Sequence, residues 1–322
     1  MPFHVLISDN VDKRAIALLQ EKPDLRVTAG GDLSREQTIA ALPEADALII
    51  RSATKANAEL LGYASKLKVI ARAGVGVDNV DLNAATDKGI VVMNTPDGNT
   101  ISTAEHTFGL MLSLARHIPQ AHASLAGGAW DRKSFTGLEL RDKTLGIVGF
   151  GRIGRAVAKR ALAFEMNVIS YDPFVLPDMA ADMGVTMVSL DTLFAQSDFI
   201  SLHTSVNDES RYMVDAKSIA KMKDGVRLIN AARGVLIRDT DLADAIKSGK
   251  VAGAALDVFE PEPPATDNPL IGLPGVIHTP HLAASTKDAQ NNVAIDAAQL
   301  VIDALMLGRY ANVCNPAVLQ TH

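Results

Sequence analysis

Lys143-Thr144-Leu145-Gly146-Ile147-Val148-Gly149-Phe150-Gly151-Arg152-Ile153-Gly154-Arg155-Ala156-Val157-Ala158-Lys159-Arg160-Ala161-Leu162 decides the fold. Its first six residues read as a short buried strand, and Arg155 to Leu162 read as a helix. Between them lies G-x-G-x-x-G, the turn that seats a dinucleotide pyrophosphate. Gly149 permits the tight turn, Gly151 lets the backbone approach the phosphates, and Gly154 lets helix and strand pack closely. The helix start then offers unpaired N–H groups to an anion, and Arg152 and Ile153 lie in that first turn. Glycines alone also suit a plain turn in an α/β sheet. Here a second apolar strand, Val168-Ile169-Ser170-Tyr171, ends on Asp172, 18 positions past Gly154. That is close to the spacing of about 20 expected for a ribose-binding carboxylate. A carboxylate accepts from a ribose 2′-OH and repels a 2′-phosphate. Pro173-Phe174-Val175 supplies no arginine, so the pattern favours NAD over NADP.

The surrounding chain of 322 residues has room for two domains. Its composition, 48% hydrophobic and 21% charged, is that of a globular protein. A net charge of −6 argues against general binding to nucleic acid or to a membrane surface. The single cysteine, Cys314, excludes an internal disulfide and a multi-cysteine metal site, which fits a cytoplasmic setting. Met1 to Asp9 lacks the charge and apolar run of a signal peptide.

Strand-like and helix-like segments alternate almost throughout, which predicts parallel sheets covered by helices on both faces. His4–Ile7, Ala47–Ile50 and Lys68–Ala71 read as strands of a first unit. Phe199–Leu202, Val226–Ile229, Gly253–Leu256 and Val276–Ile277 read as later strands of a second. A long helix is expected from about Ser102 to Leu114 and another from about Lys287 to Leu307. More than 140 residues precede the glycine loop, so most of them should form a separate domain. The expected boundaries are 1–98 plus 287–322 for one domain and 99–286 for the nucleotide domain.

Ligands in open α/β sheets collect at the carboxyl ends of strands. Arg233, Asp257, Glu262 and His281 all follow strand-like runs. An arginine, a carboxylate and a histidine near a dinucleotide suit hydride transfer at a carbon bearing oxygen. The histidine would take the hydroxyl proton, a carboxylate would orient it, and the arginine would grip a substrate carboxylate. A structural salt bridge fits Arg233 or Glu262 at the same spacing. His106 reads as a packed helical residue, and His203 suits either a cofactor pocket or a strand-end structural role. His278-x-x-His281 has no accompanying zinc signature, so no metal is expected.

Three stretches add a resemblance: Asn230-Ala231-Ala232-Arg233-Gly234, Ala255-Leu256-Asp257-Val258-Phe259 with Glu262-Pro263-Pro264, and Thr279-Pro280-His281-Leu282-Ala283-Ala284-Ser285-Thr286. In order and spacing they resemble signatures of the D-isomer-specific 2-hydroxyacid dehydrogenases, over about Arg51 to Thr286. The resemblance implies an NAD-dependent oxidoreductase. It makes His281 the acid/base, Glu262 its partner and Arg233 the carboxylate anchor. His203, Thr204, Ala231 and Asp257 would join Gly149–Gly154 and Asp172 on the cofactor side. It also implies two Rossmann-like, doubly wound parallel-sheet domains around a cleft, the first completed by the C-terminal helix. A homodimer through about 116–140 is implied as well.

Arg51-Ser52-Ala53-Thr54-Lys55, Arg72-Ala73-Gly74-Val75-Gly76-Val77-Asp78-Asn79-Val80-Asp81 and Asn94 to Thr100 resemble the family branch that acts on D-3-phosphoglycerate. This implies oxidation to 3-phosphohydroxypyruvate. Arg51, Arg72 and Lys133 would face the phosphate, and backbone around Ala73, Gly74, Val75 and Gly76 the carboxylate. Trp130-Asp131-Arg132-Lys133 would reach across the dimer. Ala283 stands where the family often has glycine, and Ser205 where it often has proline. The first is expected to crowd the nicotinamide and the second to loosen a cofactor loop. The chain ends soon after Asn315-Pro316, so no regulatory domain and no serine feedback are expected. Reduction of glyoxylate or hydroxypyruvate, oxidation of another anionic 2-hydroxy acid such as a sulfonated one, and an NADH-sensing corepressor remain rival readings.

Overall fold

A computed structural model describes residues 1–320. The chain divides into two compact units, residues 1–99 with 285–322, and residues 100–284.

The first unit carries strands β1 (Phe3–Ile7), β2 (Leu25–Ala29), β3 (Ala47–Ile50), β4 (Val69–Arg72) and β5 (Val91–Asn94). All pair in parallel, in the order β2-β1-β3-β4-β5. Side chains alternate across each strand, which separates two cores. Ala47 and Ile49 face one core with Val5, Ile7 and the helices Lys13–Gln20 and Lys287–Leu307. Leu48 and Ile50 face the other, against Leu60, Leu61 and Ala85. Burial on both faces explains why these strands read as unbroken apolar runs. The end of the unit is tied in by Asn315, whose Oδ1 accepts from Val92 N at 2.9 Å and whose Nδ2 donates to Ile90 O at 2.9 Å.

The second unit carries β6 (Thr144–Val148), β7 (Asn167–Tyr171), β8 (Thr186–Met187), β9 (Phe199–Leu202), β10 (Val226–Asn230), β11 (Val251–Leu256) and β12 (Val276–His278). The sheet is again all parallel, in the order β12-β11-β10-β9-β6-β7-β8. The order in which strands are added reverses between β6 and β9, the switch point where such sheets bind ligands. Leu145, Ile147, Phe199 and Ile229 pack against the helices Thr100–Arg116 and Arg152–Ala163 on one face. Val148, Ile200, Leu202 and Leu228 pack with Leu242 and Ala243 on the other.

The α/β class and parallel sheets agree with the sequence reading. Strands β2, β5 and β8 are additions to it. β2 and β8 are sheet edges, and β2 buries only Leu25 fully, so its apolar signal is weak. The helix predicted over Ser102–Leu114 spans Thr100–Arg116, and the last long helix spans Lys287–Leu307 as expected. No helix among the described residues is long and apolar enough to cross a membrane.

Candidate active site

The glycine loop leaves β6 at the switch point. Gly149 has φ +95°, and a Cβ there would lie 2.6 Å from His203 O, so its backbone abuts the end of β9. A Cβ on Gly154 would lie 2.1 Å from Gly149 O, which is the close helix–strand packing that only glycine allows. Gly151, the residue before the Arg152–Ala163 helix, differs: a Cβ there meets nothing within 4 Å. The space over Gly151 is open. Arg152 is exposed in the first helical turn, and Ile153 is half-buried behind it.

Asp172 follows β7. Its Oδ2 accepts from Phe150 N at 2.8 Å and its Oδ1 from Phe174 N at 2.9 Å. Backbone amides thus aim the carboxylate beside the glycine loop. His203 donates its backbone N–H to Val148 O at 2.7 Å, and its Nε2 lies 2.8 Å from Ser201 Oγ. Burial lowers the pKa of this imidazole to about 4, so it is neutral at physiological pH. Thr204 follows it, and Ala231 is buried directly after β10. Open space over a glycine at a helix start, with an oriented carboxylate one strand away, fits NAD. The Ser205 carbonyl accepts from Ser210 Oγ at 2.8 Å.

Arg233, Glu262 and His281 come together from three different loops. Arg233 follows β10, and its Nη1 donates to Ala232 O at 2.7 Å. The next residue, Gly234, has no room for a Cβ, which would sit 2.1 Å from the Phe259 carbonyl carbon. This presses the Arg233 loop onto the loop that carries Glu262. Glu262 Oε1 accepts from Phe259 N at 3.0 Å, and Glu262 Oε2 accepts from His281 Nδ1 at 2.7 Å. The Glu262 hydrogen bond is the largest influence on His281 and raises its pKa, reinforced by the charges of Glu262 and Asp257. Burial and Arg233 oppose the rise. Burial alone would raise the pKa of Glu262. Hydrogen bonds from His281 and Phe259 and the charges of His281 and Arg233 outweigh it and leave the carboxyl below its usual value. A carboxylate only accepts, so Nδ1 carries the proton and Nε2 is left to exchange one.

Asp257 is fully buried after β11. Its Oδ1 accepts from Thr279 Oγ1 at 2.5 Å and Leu282 N at 2.8 Å, and its Oδ2 from Ala283 N at 2.9 Å. Its carbonyl accepts from His281 N at 2.8 Å. Asp257 therefore secures the turn that carries His281, a residue in the left-handed region at φ 54°. Ala283 is itself buried in that turn. Sequence reasoning misses His106, which reads there as a packed helical residue. Its Nε2 lies 3.2 Å from both Asp257 Oδ1 and Thr279 Oγ1. Its place on the Thr100–Arg116 helix gives no sign of partners more than 150 positions away. His278 Nε2 lies 2.7 Å from Leu270 O, and since a carbonyl only accepts, the imidazole is the donor. No group of three or more His, Cys, Asp or Glu side chains among the described residues is placed to hold a metal.

The remaining predicted site residues lie in the first unit, except Lys133. That lysine is exposed in the second unit, on a turn where Asp131 Oδ1 accepts its N–H at 3.1 Å. Arg51 follows β3. Its N–H donates to the buried Asp9 carboxylate at 2.6 Å, and its Nη1 donates to Asn10 O at 3.1 Å. It lines a cavity of about 420 Å3 with Asn10, Lys13, Arg14, Gln290 and Asn291. This cavity sits at the carboxyl ends of β1 and β3, where the 2-1-3-4-5 strand order has its own switch point. Ala73 is buried after β4, and the Arg72 guanidinium folds over Gly74, which has φ +144°. Gly74 N already donates to Thr95 Oγ1 at 2.7 Å, and Asn94 Nδ2 donates to Val75 O at 2.5 Å. Both bonds fix the turn through Gly76.

Residues 108–283 match the sequence pattern of the D-isomer specific 2-hydroxyacid dehydrogenase, NAD binding domain. The chain belongs to the D-isomer specific 2-hydroxyacid dehydrogenase family, whose members are NAD-dependent oxidoreductases. It is 50% identical to a D-3-phosphoglycerate dehydrogenase of Archaeoglobus fulgidus, over 93% of this chain and 56% of that protein. The chain thus spans little more than half the length of that relative. It is 47% identical to a hydroxypyruvate reductase of Thermotoga maritima, over 94% of this chain and 98% of that one. Among solved structures it resembles a D-lactate dehydrogenase of Aquifex aeolicus complexed with NAD and lactic acid. That likeness has a TM-score of 0.79 and 30% identity, covering 99% of this chain and 98% of the other. NAD is the cofactor of the site.

Proposed function

We propose that this chain oxidises D-3-phosphoglycerate to 3-phosphohydroxypyruvate with NAD. The 2.7 Å contact between Glu262 and His281, with Arg233 beside it, carries the chemical part of this reading. Gly149, Gly151, Arg152, Ile153, Gly154 and Asp172 hold the cofactor, with His203, Thr204, Ala231 and Asp257 around the nicotinamide end. When bound, NAD supplies the acceptor for the hydride that leaves C2. Arg233 holds the substrate carboxylate in a two-pronged grip. Glu262 keeps the Nδ1–H tautomer of His281, so the bare Nε2 takes the hydroxyl proton as the C2–O bond becomes a carbonyl. Imidazolium forms next to a carboxylate, which stabilises it. In the reverse direction the same imidazolium returns the proton to the carbonyl oxygen.

Within the first unit, the phosphate is assigned to Arg51 with Arg72. Arg51 at the β1/β3 switch point and the likeness to phosphoglycerate dehydrogenases support this substrate. A second reading, reduction of hydroxypyruvate, is favoured by the Thermotoga relative, which the chain matches over nearly its whole length. A homodimer through residues 116–140 would explain why the Ile118–Ala126 helix buries none of its residues and why Trp130 is 79% exposed.

Initial rates separate the two substrates. NADH formation from D-3-phosphoglycerate is measured beside NADH consumption with hydroxypyruvate and with glyoxylate. Turnover of phosphoglycerate, with Arg51→Ala raising its KM at least about tenfold more than that of glyoxylate, supports the first reading. Preference for the unphosphorylated oxoacids, or equal effects of Arg51→Ala on both, overturns it.

A further inference from the structure

We propose that His106 is a positioning residue that, from the Thr100–Arg116 helix, clamps the Asp257 carboxylate that holds the His281 turn. The inference rests on His281 being the acid/base.

His281 stands in a backbone region that L-residues avoid for steric reasons. Something other than local preference must hold it there. Asp257 does so through its carbonyl, bonded to His281 N, and through its carboxylate, bonded to Leu282 N and Ala283 N. Those bonds require the carboxylate plane to be fixed. Thr279 fixes it only from within the same turn, two residues before His281. His106 fixes it from a separate element, the Thr100–Arg116 helix, which is anchored next to it by buried Thr107 and Phe108.

The proton positions follow from the partners. Thr279 Oγ1 gives its single hydrogen to Asp257, so toward His106 it can only accept. The carboxylate can only accept as well. Nε2 of His106 therefore carries a hydrogen and shares it between Asp257 and Thr279. Loss of this donor leaves a fully buried carboxylate one partner short, with the freedom to turn. The charged groups that face His281 are Glu262, Asp257 and Arg233. Those near His106 are Asp257 and, along a cavity lined by the same helix and β12, Glu105 and His278.

The test compares His106→Leu, which fills the space without a donor, with His106→Gln, whose amide N–H reaches the position of Nε2. Exchange of the Leu282 and Ala283 amides and titration of the His281 imidazole are followed by NMR, and kinetics run in parallel. In His106→Leu the two amides should exchange at least about tenfold faster. The His281 titration should move down toward its ordinary value, and kcat should fall about tenfold with KM for NAD held within about twofold. His106→Gln should restore all three. Unchanged amide exchange and an unchanged His281 titration in His106→Leu would leave His106 a packing residue and overturn the proposal. So would a glutamine variant that behaves like leucine. If the wild type turns over no hydroxy acid, the catalytic reading fails, while the NMR measurements still decide whether His106 holds the turn.

Discussion

Gly151 and Gly154 lie three positions apart in one motif, yet the structure gives them separable tasks. A Cβ on Gly154 would sit 2.1 Å from Gly149 O, whereas ordinary contact begins at 3.4 Å. Strand and helix must part by more than about 1 Å, or the glycine turn must deform. Overpacking of this kind costs about 1–3 kcal/mol. In a unit of this size that lowers Tm by about 2–12 °C. Gly151→Ala meets no protein atom within 4 Å, so the fold loses at most about 1 kcal/mol from a poorer helix start. The added methyl instead occupies the space that the pyrophosphate needs. NAD affinity should fall about 10- to 100-fold, or about 1.4–2.8 kcal/mol. Thermal unfolding without cofactor and calorimetric titration with NAD, on both variants, check the two effects. Wild-type NAD affinity in Gly151→Ala would refute the reasoning. So would a Gly154→Ala protein that unfolds at the wild-type temperature.

Glu262→Gln should lower kcat about 100-fold and displace the pH profile, because Glu262 is the main cause of the raised His281 pKa. Oxidation needs neutral His281, so its rate climbs as pH rises through that pKa, and in the variant the climb should begin at lower pH; a profile that stays in place contradicts the pairing. His203 is neutral when folded, its pKa lowered from an ordinary 6.5 to about 4, so it costs no stability above pH 6.5; below that the unfolded imidazole gains a proton first, and folding loses ground as pH falls from 6.5 toward 4. The full difference is about 3 kcal/mol, to be read as the extra pH dependence of wild-type urea unfolding over that of His203→Gln. If 116–140 forms a dimer interface, Trp130→Glu should halve the mass found by light scattering, and an unchanged mass would exclude that surface.

The strand–glycine–helix segment and Asp172 were legible because their signals are local: an apolar run, three glycines at fixed spacing and an acid at the end of the next strand. The main strands were legible because burial on both faces makes them continuous apolar runs, and the edge strands β2 and β8 were lost for lack of it. The grouping of Arg233, Glu262 and His281 was suggested by family-like motifs, since nothing local says that three loops converge. Asp257 shows the limit more sharply. Its position after a strand points to the ligand end of the sheet, but nothing in the sequence says that its carboxylate also takes donors from Thr279, Leu282, Ala283 and His106. The His106 contact was invisible for the same reason, because hydrogen bonds between a helix and a distant loop leave no periodic trace.

The first unit is assembled from both ends of the described chain, and this bears on the order in which the protein can mature on the ribosome. Val5, Ile49, Val69 and Met93 share a core with Val293, Ala297, Val301 and Val318. Roughly 185 residues of the other unit are synthesised between these partners. At about 5–20 residues per second, the apolar face of the early strands waits about 10–40 s for its cover. The contiguous unit can close during that interval. The nascent amino-terminal segment is therefore the part of this chain most dependent on chaperones, and slowing translation should increase its exposure to them.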